Sequence, residues 1–99
     1  MKTINKINST EFEMAAEMLK SIAHPTRLAI LSLLEMGEKV SVTDIYGQLG
    51  LEQAVVSHHL GILKNKGVVV SIRDGKHCLY YLKHNCLSEI LHCLKKCQS

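Results

Sequence analysis

Cys86, Cys93 and Cys97 follow one another at spacings of seven and four residues near the end of the chain, with His84 and His92 interleaved. At about 100° of rotation per residue, a helix carrying them would hold all three thiols within roughly 40° of one another. Thiolates and imidazoles on one stripe can ligate a soft metal ion or exchange disulfides. With Ile90, the same positions trace a four-three-four seam in which free cysteine acts as a small hydrophobe at a helix interface. Ligand, redox and packing roles all stay open on spacing alone. Cys78 differs: it alternates with Tyr80 and Leu82 on one face of a strand and reads as a core residue, with His77 on the opposite face.

A second set of side chains suits a nucleic acid. Gln53, Ser57 and His58, with Ala54 beside them, form a short polar row before an apolar helical pattern. Gln can pair bidentately with adenine, Ser is permissive, and His can donate to an acceptor on a base or phosphate. His59 is turned about 100° from His58, toward the protein, and reads as structural. Lys64, Arg73 and Lys76 suit phosphates, and an Arg at a hairpin tip can also enter a minor groove. Between residues 64 and 83 five cations, Lys64, Lys66, Arg73, Lys76 and Lys83, face only Asp74, although the whole chain has a formal net charge of just +3. Positive charge gathered in this way is the electrostatic footprint of a phosphate-binding face.

The elements that must position these groups follow from caps, turns and periodicity. Residues 1–8 are polar and read as a loose arm. Thr10 with Glu13 makes a capping box for an amphipathic helix over about 10–22, and Pro25 opens a second over 25–35 that Gly37 stops. Ser41 with Asp44 starts a short helix closed by Gly50, and another runs over 52–66 to Gly67, so 41–66 reads as a helix-turn-helix. Then the period changes. Val68, Val69, Val70 and Ile72 precede an Asp74-Gly75 turn and a returning strand through Leu82, a hairpin over 68–82, before a last helix over 85–97. The expected fold is mainly α with a small β-hairpin, in the order α-α-α-α-β-β-α, which is a winged helix-turn-helix with an added C-terminal helix.

A chain of 99 residues that is 46% hydrophobic can bury one modest core, so a single domain over 1–99 is expected, gaining further burial from a partner subunit. No window approaches the roughly 20 apolar residues of a membrane span, and no charged stretch with an apolar run opens the chain, so a cytoplasmic protein without a membrane partner is expected. Its four cysteines are then thiols, ligands or core residues rather than a disulfide framework. A thiol enzyme would have to rest on Cys86 and His84, two residues apart with no oxyanion or Gly-rich motif near them, so no enzyme is expected. A winged helix used only to bind protein would need no polar row beside a basic wing.

Over residues 12 to about 97 the chain resembles the ArsR/SmtB group of winged-helix repressors. The segment Leu19 to Leu31, reading LKSIAHPTRLAIL, is similar to the family's approach to its second helix. Ala54 to Leu63, reading AVVSHHLGIL, is similar to its recognition helix, and Arg73-Asp74-Gly75-Lys76 with Tyr80-Tyr81-Leu82 resembles its wing. The resemblance implies a homodimer built by the first and last helices, which binds an inverted-repeat operator in double-stranded DNA and releases it when an inducer arrives. It further implies that antiparallel last helices bring ligands from two chains together. On this sequence the family's zinc-sensing positions match His84 and Cys86 near the helix start and Cys97 near its end. The fourth would fall beyond Ser99, leaving Cys93 or His92 to complete a tetrahedral set.

Thiolates in place of carboxylate and imidazole favour softer ions, so Zn, Cd, Cu(I) or As(III) is the expected inducer, with no cofactor needed for DNA binding. Two other family sites are missing. Ser41 and Thr43 stand where a third-helix pair of cysteines would be, and Ser32 where the second-helix cysteine of redox-sensing relatives would be. A thiol-redox switch would therefore use last-helix cysteines alone, across the dimer or between Cys93 and Cys97, and a regulator whose cysteines are only structural is the remaining alternative.

Overall fold

The computed structural model describes residues 9–98. The helices are α1 (Ser9–Ile22), α2 (Pro25–Leu34), α3 (Val42–Leu49), α4 (Gln53–Asn65) and α5 (Cys86–Lys96); the strands are β1 (Val40–Ser41), β2 (Val69–Asp74) and β3 (His77–Leu82). The arm expected over 1–8 lies outside the described residues. The fold is a winged helix-turn-helix with one addition to the expected order: Val40 and Ser41 pair with Tyr80 and Leu79, so the wing is a three-stranded antiparallel sheet, ordered β1-β3-β2. Two residues are too short a run for periodicity to reveal.

Local chemistry sets the boundaries. Pro25 starts α2, where a missing N–H costs nothing, and His24 caps it by accepting the Thr26 N–H on Nδ1 at 3.1 Å. α1 is described from Ser9, with Thr10 and Glu11 in its first turn and Glu13 in the next. In the hairpin Asp74 pairs with His77, so the turn residues are Gly75 and Lys76, one position later than the Asp-Gly reading, and Gly75 takes the positive φ of 63° that the turn requires.

The core is assembled around α4. Val56, Leu60 and Leu63 project from one face of it and are fully buried with Ile30, Leu31 and Leu34 of α2 and Ile45 of α3. Val68, Val69 and Leu82 close the cluster from the wing side, and Leu87 and Leu91 of α5 close it from the end of the chain. Removing a side chain such as Leu60 would cost about 2–5 kcal/mol in lost transfer energy and cavity. Among the described residues no helix is long and apolar enough to cross a membrane.

Candidate nucleic-acid interface

Each residue of the polar row owes its position to the side chain buried behind it. Because Val56, Leu60 and Leu63 turn inward, Gln53, Ala54, Ser57, His58 and Lys64 stand exposed on the remaining surface of α4. The approach to α4 is fixed by α3. Ser41 Oγ accepts the Asp44 N–H at 3.0 Å at its start. Gly50 ends it in the left-handed region at φ 65°, donating its N–H to Tyr46 O. α4 begins three residues later, with the Glu52 carbonyl accepting from Val55 and Val56.

A cleft of about 320 Å³ opens between the start of α3, the start of α4 and strand β3. It brings together Gln53, Ser57 and Lys76 from the expected set, and adds Ser41, Thr43, His77, Cys78 and Tyr80 to its walls. Ala54, His58, Lys64 and Arg73 are exposed but lie outside this cleft. Cys78 corrects an expectation: it is half-buried, faces the cleft and takes no part in the core. The strand alternation that grouped Cys78 with Tyr80 was sound, yet only the β1 pairing and α3 show that this face meets the cleft. Burial, with the Cys78 thiol beside it, pushes the Tyr80 hydroxyl above its ordinary range against an opposing hydrogen bond from Ser71, so the phenol stays protonated there.

The basic face is smaller than the local count of cations suggests. Lys66 Nζ is 3.5 Å from Glu17 Oε2, a partner from α1 that no reading of residues 64–83 could include. Lys39 adds a cation on the wing side, its Nζ 5.7 Å from the centroid of the Tyr81 ring.

Behind the row lies a cluster of imidazoles. Arg27 Nε donates to His59 Nδ1 at 3.1 Å, and Arg27 Nη1 donates to the Ser21 carbonyl at 3.2 Å. The His24 ring centroid is 4.7 Å from that of His59, and His58 meets His59 edge-on at 5.2 Å. Burial, then the positive charges of His24, Arg27 and His58, hold His59 below the ordinary imidazole range of 6.5. Sequence placed His59 on the protein side of the helix; the Arg27 partner, 32 residues away, had no local signal.

On α5 the expected stripe exists, since Cys86 opens the helix and Cys97 caps its end, and both are exposed together with Cys93 and His84. Leu87 and Leu91 occupy the buried side instead. At about 1.5 Å of rise per residue, Cys86 and Cys97 are roughly 16 Å apart along the axis, too far to share one ion. Among the described residues, no group of three His, Cys, Asp or Glu side chains converges on a metal position within the protomer.

Residues 24–71, which span α2, the helix-turn-helix and the first half of β2, match the bacterial regulatory protein, arsR family. An HTH-type transcriptional regulator of Methanocaldococcus jannaschii is 38% identical over 82% of this chain and 91% of its own length. Among solved structures, the transcriptional repressor PagR of Bacillus anthracis is 33% identical, with a TM-score of 0.80 over 88% of this chain and 99% of that one. The homodimeric winged helix-turn-helix DNA-binding domain from Mycobacterium bovis shares the fold at 22% identity, with a TM-score of 0.83 over 99% of this chain and 90% of that one. This is a family of DNA-binding transcriptional regulators, not of enzymes. The chain belongs to the arsR family, as a winged helix-turn-helix regulator of transcription that binds DNA.

Proposed function

We propose that this chain is a cytoplasmic homodimeric repressor that binds an inverted-repeat operator and leaves it when a soft metal or metalloid ion joins the two last helices. The observation that carries the DNA half is the cleft in which Gln53 and Ser57 of α4 meet Lys76 of the wing. Gln53, Ala54, Ser57 and His58 would face base edges in the major groove, while Lys64, Arg73 and Lys76 hold phosphates on either side. Phosphate contacts supply most of the affinity and its salt dependence, and base contacts supply the choice of sequence.

The dimer reading rests on exposed apolar side chains of the terminal helices, Phe12, Met14 and Leu19 on α1 and Ile90 and Leu94 on α5. An antiparallel α5 pair would bring Cys86 and His84 of one protomer toward Cys97 and Cys93 of the other. That donor set fits Zn(II), Cd(II), Cu(I) or As(III), because thiolates suit soft ions and all four side chains are open to solvent. The ion would supply a crosslink between subunits at each of two symmetry-related sites near the helix ends.

The test uses the reduced dimer bound to a fluorescent duplex that the protein itself has enriched from a random-sequence library. Salt-sensitive binding supports the DNA reading, and its absence rejects it. Titration with each of the four ions follows, then diamide. Release near one ion per paired site supports the metal reading; release by diamide alone makes the α5 thiols a redox switch, and release by neither returns them to packing.

A further inference from the structure

The recognition helix is held by a hydrogen bond whose acceptor titrates. Arg27 Nε is always protonated, so the 3.1 Å contact requires His59 Nδ1 to be a bare acceptor, with the imidazole proton on Nε2. The other arm of Arg27 is committed to the Ser21 carbonyl at the end of α1. One guanidinium therefore joins α1, α2 and α4. The His59 ring also meets His58, a residue of the proposed DNA-reading row, in edge-on contact.

We propose that Arg27 and His59 form a latch that sets the angle of the recognition helix, and that protonation of His59 opens it and weakens DNA binding in acid. The inference rests on the reading of α4 as the DNA-contacting helix. Protonated at Nδ1, His59 turns its donor toward the Arg27 Nε–H and sets two cations face to face, so the bond is replaced by repulsion. The charges acting on His59 are His24 and Arg27 from α2 and His58 from α4 itself; among the described residues α1, α3 and β2 add none to them. All are positive or able to become so. No anion stands ready to receive the extra charge, and burial disfavours it further.

The sign sets this latch apart from general electrostatics. Added positive charge ordinarily strengthens attraction to phosphate, so a basic protein with exposed histidines should bind DNA more tightly as pH falls. The latch predicts the opposite contribution from His59 alone. His59→Gln isolates it, since the Gln carbonyl can accept from Arg27 at every pH while all other imidazoles remain.

The experiment measures affinity for the library-enriched duplex at fixed salt, for the full wild-type chain and for His59→Gln. Because His59 titrates below the ordinary imidazole range, the ratio of wild-type to variant affinity is expected to hold near pH 7 and to fall about two- to threefold by about pH 5. A ratio that stays flat or rises overturns the latch. Imidazole ¹⁵N spectra of the wild-type protein give a second, DNA-independent reading. His59 is expected as the neutral Nε2–H tautomer near neutrality, titrating below the ordinary imidazole range; an Nδ1–H tautomer, or titration at or above that range, overturns the proposal even if His59→Gln does not fold. Absence of duplex binding at any pH would remove the DNA reading, whereas the spectra would separately decide the hydrogen bond.

Discussion

Helices α3 and α4 bury Ile45, Val56, Leu60 and Leu63 completely, whereas α1 leaves Phe12, Met14 and Leu19, and α5 leaves Ile90 and Leu94, between 38% and 68% exposed. Both regions have amphipathic helices, but among the described residues the first leaves one large apolar side chain, Val55 at 39%, in that exposed range, and the second leaves five. The terminal helices touch the core through Ile22, Leu87 and Leu91 and present a second apolar side outward. The difference teaches a division of labour: packing behind the DNA-facing row is intrinsic to the protomer, while α1 and α5 keep apolar surface that the proposed dimer would cover. In a chain this small, such a surface is a sizeable share of the hydrophobic material available.

The comparison can be broken most forcefully at its centre. Leu60→Ala should lower the stability of the protomer by about 2–5 kcal/mol, read by urea unfolding, because Leu60 is fully buried in the core cluster. A loss under about 1 kcal/mol would mean that the core is looser than its burial implies. At the other region, Ile90→Asp with Leu94→Asp should weaken dimerisation by at least about tenfold, measured by sedimentation equilibrium, since a carboxylate buried at an interface must lose its water. A dimer of unchanged affinity would place the interface elsewhere.

Much of the first region was legible in sequence, and the reasons are local. Pro25, the Ser41–Asp44 pair and Gly50 each act on their nearest backbone neighbours, and the structure places each of them at the boundary it announces. The spacing of Val56, Leu60 and Leu63 likewise decided which face of α4 was left for Gln53, Ser57 and His58. What escaped depends on residues distant in the chain: the pairing of Val40–Ser41 with β3, the Glu17 carboxylate that occupies Lys66, the cleft that draws Cys78 out of the expected core, and the Arg27–His59 bond. Periodicity reports which side of an element is apolar, not which element arrives on the other side. For α5, the three cysteines are exposed on the helix as the spacing expects, and any shared role for them belongs to the proposed dimer.

Two smaller substitutions sharpen the boundary between the regions. Ser41→Ala removes the side-chain acceptor at the start of α3 and should cost about 1 kcal/mol in thermal or urea unfolding, with the dimer constant unmoved. Any change in dimer affinity would show that the two regions are coupled through the sheet. Lys95→Gln tests an ion pair that ties α5 to the end of α2. Glu35 Oε1, shielded from water and without a well-directed hydrogen bond, lies 3.0 Å from Lys95 Nζ, which is itself 54% exposed. Solvent screening limits the expected loss to about 0.5 kcal/mol. A loss several times larger would make the end of α5 part of the protomer's own core.

Ser41 has a mechanical consequence. Its backbone belongs to the sheet through Leu79, and its hydroxyl holds the first turn of α3. A wing joined to the rest of the molecule only through its own two strands could swing like a flap and adapt to grooves of different width. Here the shortest strand rivets that flap to the helix beside it, so wing and helix-turn-helix travel as one plate. In the proposed dimer, accommodation to DNA would then come from rotating whole subunits against each other, and a small rotation between subunits would displace both plates from neighbouring grooves at once.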